Sequence, residues 1–141
     1  MEYKIFGNQI VVRLDPGDEL IKSVLALAEK ENIRLASVTA IGASDDVTLG
    51  IFDVKTKRYG SVRYHTADYE LASVCGNLSR KDGEPYLHLH AVIGNSLRGE
   101  CHGGHLNAAV ISATGEIFIS VAEGEAGRRF CDEVGLNLLT F

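Results

Sequence analysis

Tryptophan is absent from the 141 residues, methionine occurs once and proline twice. So little proline leaves long stretches of chain free to hydrogen-bond through every backbone amide. The three cysteines, Cys75, Cys101 and Cys131, are odd in number and widely spaced, which excludes a disulfide framework and a CxxC zinc site. Cys75 and Cys131 have apolar neighbours and are expected to act as small core residues. No apolar run approaches the roughly 18 residues of a membrane helix. Met1-Glu2-Tyr3-Lys4 has neither the basic nor the apolar region of a secretory leader. A cytoplasmic protein with no membrane partner is therefore expected.

Basic runs are missing too. Lys and Arg number 14 against 19 Asp and Glu, for a net charge of −5. A protein that binds duplexes on its own needs a basic footprint to displace phosphate counterions, so nucleic acid is disfavoured as a partner. Lys55, Lys57, Arg58 and Arg63 read instead as a solvated hairpin. The phosphate-loop, dinucleotide-binding, HExxH and GxSxG signatures are all absent, which removes the common nucleotide and hydrolase readings.

What is present is one helical pattern among many strand patterns. Gln9–Leu14 alternates as a strand. Asp15, Pro16 and Asp18 suit the start of a helix running to about Glu31, with Asp15 as its cap and Asn32 as its stop. Leu20, Val24, Leu27 and Ala28 fall on its apolar face. Strands are expected at Arg34–Ala43, Val47–Val54, Tyr59–Tyr64, Tyr69–Asn77 and Tyr86–Ile93, then a glycine-rich loop from Gly94 to Gly104. Leu106–Ala113 and Glu116–Ala122 follow, joined by a tight turn at Thr114-Gly115. Gly124–Glu133 reads as a short second helix and Leu136–Thr140 as a last strand. The fold class is α+β: a single domain over residues 1–141, mostly antiparallel sheet flanked by one main and one short helix.

The chemistry concentrates in His88-Leu89-His90-Ala91 and Cys101-His102-Gly103-Gly104-His105-Leu106. Residues two apart on a strand share a face, so His88 and His90 project together, away from Leu87, Leu89, Ala91 and Ile93. His105 arrives from the loop and can converge with them if the next strand pairs nearby. Three neutral imidazoles suit zinc or another transition metal, and three protein ligands with an open position mark catalytic zinc. Without metal, histidines beside glycine-rich backbone could hold a small anion. Cupin barrels also carry HxH on a strand, but the glutamate they place a few residues later is replaced here by Ala91-Val92-Ile93-Gly94-Asn95. His102 is read as a surface loop residue, and His65 has no assigned role.

Arg13-Leu14-x-x-Gly17-Asp18-Glu19-Leu20, Ile41-Gly42-Ala43, Gly76-Asn77-Leu78-Ser79, His88-Leu89-His90-Ala91 and Gly103-Gly104-His105-Leu106 occur in this order. Together they resemble the plant and prokaryote conserved (PPC) domain, across about residues 3–140. The resemblance implies an antiparallel sheet flanked by helix, assembled as a homotrimer, with His88, His90 and His105 as the matching histidine set. No activity carries over from the resemblance; the expected function is a trimeric binding or regulatory module with a His-lined metal or small-ligand site. A metal-dependent enzyme is the first alternative, with Glu70, Glu100 or Glu116 as base, and a DNA-associated protein the second. The family's DNA-binding label belongs largely to plant members that carry an AT-hook. No Arg-Gly-Arg core is present here, and a trimer would triple the negative charge. Arg13, Glu70, Asn77, Gly103 and Gly104 are the expected ligand-binding residues, with Asn77 in a turn and Arg13 in an ordinary surface salt bridge or, alternatively, paired with a carboxylate at a subunit contact.

Overall fold

A computed structural model describes all of residues 1–141. Nine strands and one helix follow the chain: β1 (Glu2–Phe6), β2 (Gln9–Leu14), α1 (Leu20–Lys30), β3 (Ala36–Asp53), β4 (Arg58–Tyr64), β5 (Tyr69–Lys81), β6 (Glu84–Asn95), β7 (Glu100–Val121), β8 (Gly127–Cys131) and β9 (Leu136–Thr140). The first seven strands form one antiparallel sheet in the order β1-β2-β7-β6-β5-β3-β4, with β7 also pairing β3. That extra pairing closes a ring: β7 bonds β6, β6 bonds β5, β5 bonds β3 and β3 bonds β7 again. Closure removes free edges from the four strands that carry the histidines and their neighbours.

The core is one cluster of 25 buried residues. Leu89, Ala91 and Ile93 of β6 point into it, beside Leu71, Val74 and Leu78 of β5 and Leu106, Ala109 and Ile111 of β7. Leu20, Val24, Leu27 and Ala28 of α1 complete it, as their spacing predicts. Chain 47–64 forms the expected hairpin, with Val47 opposite Tyr64 and Asp53 opposite Arg58. Asn32, at φ 50°, ends the helical region where predicted.

Five expectations need correction. The helix cap is Glu19, whose carboxylate accepts from the amides of Ile21 and Lys22 at 3.2 and 2.8 Å. Asp15 cannot serve, because Gly17 at φ +91° turns the chain away from helix between them. Ala36–Asp53 is one bent strand, not two, and so is Glu100–Val121. Their bends are register shifts between Gly42 and Ser44, Ser44 and Asp46, and Thr48 and Leu49, which the sequence disguises as turns. Gly94–Gly104 is not a loop: β6 continues to Asn95, a short turn follows, and β7 begins at Glu100. The second helix is absent. Gly127–Cys131 pairs with Leu136–Thr140 as a separate hairpin, closed by Gly135 at φ +85°. Cys75 is exposed and Cys131 only half-buried, so neither is a core residue.

Candidate metal centre

His90 and His105 are direct cross-strand partners, the first pair of the β6–β7 ladder. His88 lies two residues before His90 on the same outward face. The ring centroids of the three are 5.0–5.7 Å apart. One ligand nitrogen from each comes within 4.8 Å of the others, and no carboxylate or thiol joins the group. His105 therefore meets the pair from a paired strand, not from a loop, and strand pairing is what fixes the convergence.

Glycines allow this close approach. A Cβ at Gly76 would overlap the carbonyl oxygen of His88 and lie 2.9 Å from Leu89 Cα. A Cβ at Gly104 would lie 2.7 Å from the carbonyl oxygen of Gly50. Gly103 is different: a Cβ there would stand 3.5 Å from Ala91 O, an ordinary contact. Ser73, Cys75, His90, Ala91, Val92, Gly103 and Gly104 line a hollow of about 160 Å³ beside the trio.

Burial pushes the His88 imidazole down to about 4, helped by His105, Arg128 and His90 nearby. Burial also lowers His105, with His90 adding to it. Both rings are thus held neutral, the form in which imidazole binds metal. The shift has a consequence for stability. His88 takes up a proton near 6.5 in the unfolded chain but only near 4 in the folded one. Between those values the unfolded state binds more protons, so stability is full above pH 6.5 and falls as pH drops towards 4. Water on the open side of the site screens the effect, leaving a loss on the order of 2 kcal/mol. Urea unfolding of the metal-free protein at pH 7.5 and 4.5 measures it. His88→Asn should flatten the difference by that amount, and identical slopes in the two proteins would contradict it.

Of the remaining expected site residues only Asn77 adjoins the trio. Asn77 sits in β5 opposite His88, in a ladder and not a turn, and its Oδ1 accepts from Arg128 Nη2 at 2.7 Å. Glu70 lines a separate cleft with Ile41, Ala72 and Glu116. Arg13 is exposed and pairs with Glu2 at 2.9 Å and Asp15 at 3.1 Å. Glu100 is engaged by the Tyr69 hydroxyl at 2.9 Å and by Arg98. His102 is half-buried in β7 and stacks on Tyr64 with ring centroids 4.4 Å apart. His65 is exposed, at the end of β4.

Two neighbours of the trio escape sequence reasoning. Tyr59 sets its ring edge against His105 and donates its hydroxyl to Asn107 Oδ1 at 2.7 Å. Arg128 lies across the same face, over the Tyr86 ring at 4.7 Å, and donates Nε to Ser79 Oγ at 3.0 Å. Reading 124–133 as helix hides Arg128, and Tyr59 reaches the site only through the β3–β4 hairpin.

The family model described as the Plants and Prokaryotes Conserved (PCC) domain matches residues 1–123. No curated protein matches the sequence. Solved structures do. A putative DNA-binding protein from Bacteroides thetaiotaomicron superposes with a TM-score of 0.94 at 30% identity, over 99% of this chain and 96% of the other. A metal-containing protein from Archaeoglobus fulgidus gives 0.88 at 30% identity, over 99% and 97%. A plant- and prokaryote-conserved (PPC) protein from Pyrococcus horikoshii gives 0.85 at 28%, over 99% and 95%. The first name runs against the expectation, drawn from charge, that nucleic acid is disfavoured. No helix of this chain is long and apolar enough to cross a membrane.

Proposed function

The chain belongs to the Plants and Prokaryotes Conserved (PCC) domain family, and from that premise we propose that it is a metal-binding module of binding or regulatory type. His88, His90 and His105 are the ligands and zinc or another transition metal is the cofactor. The observation that carries this reading is the convergence of three ligand nitrogens within 4.8 Å on two paired strands. The donor set fits. Tetrahedral zinc with ligands at roughly 2.0–2.1 Å needs nitrogens somewhat closer than that limit, so the rings would have to turn inward on binding. Asn77, Gly103 and Gly104 border the trio and would line the space for a small ligand, whereas Arg13 and Glu70 would act only from their separate places. A bound zinc would supply an open coordination position and Lewis acidity.

Binding is favoured over hydrolysis because Glu70 and Glu116, two of the candidate bases, line a separate cleft, and the third, Glu100, is held by Tyr69 and Arg98. Assembly as a homotrimer belongs to this proposal. Ile41, Phe118 and Ile51 leave large apolar surface exposed on a single copy, which neighbouring copies would cover.

Elemental analysis of protein purified without chelator or histidine tag, on the species whose mass light scattering places near three chains, tests the reading. About one transition metal per chain is expected in the wild type and none in His90→Ala. Metal retained in full by the variant would overturn the ligand assignment, and metal-free protein that also takes up none at micromolar concentration would overturn the role.

A further inference from the structure

The β8–β9 hairpin lies beyond the residues matched by the family model, and it builds one wall of a second site. Between it and the β5–β6 turn opens a cleft of about 580 Å³. Arg80, Lys81, Arg128 and Arg129 line it, with Asp82 and Glu125 as the acids. The acids are neutralised locally. Lys81 pairs with Asp82 at 2.7 Å, and Arg34 pairs with Glu125 at 2.8 Å from outside the cleft. Arg80 pairs with Glu29 at 3.2 Å. Two guanidinium groups then lack a carboxylate. Arg128 bonds only neutral acceptors, Asn77, Ser79 and the Asn137 carbonyl. Arg129 is exposed and makes no side-chain hydrogen bond or ion pair. Arg80 is 6% exposed, and its Nε is the chain's one buried side-chain nitrogen or oxygen without a hydrogen-bond partner.

A protein of net charge −5 has thus gathered four of its 14 basic residues round one polar cleft. We propose that this cleft binds a small phosphate-bearing anion, a phosphate monoester or a diphosphate. Guanidinium forks match the paired oxygens of phosphate, and such charge-assisted bonds are the strong ones. The cleft exceeds the size of one phosphate and falls in the range of small-molecule sites, so an organic remainder fits beside it. A long polyanion fits less well, because beyond the cleft it would meet the acidic remainder of the surface. The cleft is lined by none of the three histidines, although the Arg128 charge is felt at both places: it is among the causes that lower His88.

The test is calorimetric titration of the full chain with inorganic pyrophosphate at about 0.15 M ionic strength, with and without added zinc. The expected result is binding that the double variant Lys81→Glu/Arg129→Glu weakens at least tenfold, with zinc content unchanged. Both residues lie outside the core, so the variant should fold, and a single Arg129→Ala should still weaken binding severalfold. Equal affinity in wild type and double variant, or no heat at millimolar pyrophosphate, would overturn the proposal. So would a short DNA duplex that binds through these residues when pyrophosphate does not, since the ligand would then be a nucleic-acid backbone. Loss of pyrophosphate binding in His90→Ala but not in the double variant would place the anion on the metal instead and overturn the cleft.

Discussion

Gly76→Ala is expected to destabilise the protein by about 3 kcal/mol or more, whereas Gly103→Ala, on the far side of β6 and on the outer face, should change it by less than about 1 kcal/mol. Both glycines sit in strands beside the histidines, and sequence gives no reason to tell them apart. The structure does. A Cβ at Gly76 would lie 2.9 Å from Leu89 Cα and overlap the His88 carbonyl, all of it backbone of the neighbouring strand. No flexible side chain is there to give way, so β5 and β6 must separate. Gly76 pairs Leu89, and Leu89 is a fully buried core residue, so separation opens the core as well as the ladder. At Gly103 the nearest atoms are Ala91 O at 3.5 Å and a Val92 methyl at 3.7 Å. Alanine there gains the modest advantage it has over glycine in a strand. Urea unfolding of the two variants, monitored by circular dichroism, measures the difference. Equal midpoints would show that β5 and β6 can separate at Gly76 without cost. Because His88 supplies the carbonyl in question, any folded fraction of Gly76→Ala should also hold metal less tightly than wild type.

The residues that carried the reading of the sequence were those whose meaning is local. The apolar faces of α1 and of Leu89, Ala91 and Ile93 follow from period alone, and both are buried as expected. The pairing of His88 with His90 follows from the same alternation. The convergence of His105 was legible only as a conditional, because it depends on β7 lying beside β6 in one particular register. What misled was backbone geometry that can serve two purposes. Gly42 and Thr114-Gly115 look like turn residues, but they let two long strands bend past each other: a Cβ at Gly42 would lie 2.9 Å from Gly115 Cα. Likewise Gly94, Gly99, Gly103 and Gly104 look like a loop, yet only Gly99 adopts positive φ. Gly104 permits a close strand approach instead. Residues 124–133 carry no strong period of either kind. Their strand is set by the hairpin turn at Gly135 and by Arg128 reaching Ser79 and Asn77, contacts made across roughly fifty residues of sequence. Such long-range bonds leave no trace in a local pattern, so nothing in the sequence marks Arg128.

Zinc should raise the unfolding free energy of the wild-type chain by about 4 kcal/mol once free metal reaches a thousand times its dissociation constant, and should leave His90→Ala unmoved. The argument rests on where the ligands come from. His88 and His90 are neighbours on β6 in any extended conformation, so the unfolded chain can offer an HxH pair. His105 joins them only through the β6–β7 ladder, where it faces His90 directly. Metal therefore binds the folded state with three nitrogens and the unfolded state with at most two organised ones, and the difference appears as stability. His90 is central to the effect because it is cross-strand partner to one ligand and two residues from the other. Its loss leaves two imidazoles on separate strands. Two further variants make the prediction sharp. His102→Ala should keep the full zinc shift, since His102 stacks on Tyr64 away from the trio. Cys75→Ser should keep it as well. Cys75 is cross-strand partner to His90 and exposed on the same face, but its sulfur does not join the ligand group. Thermal melts with zinc and with chelator, run on all four proteins, separate the outcomes. A shift that survives in His90→Ala would move the metal off the trio, and one lost in Cys75→Ser would make the site a fourth-ligand thiolate centre of a different chemistry.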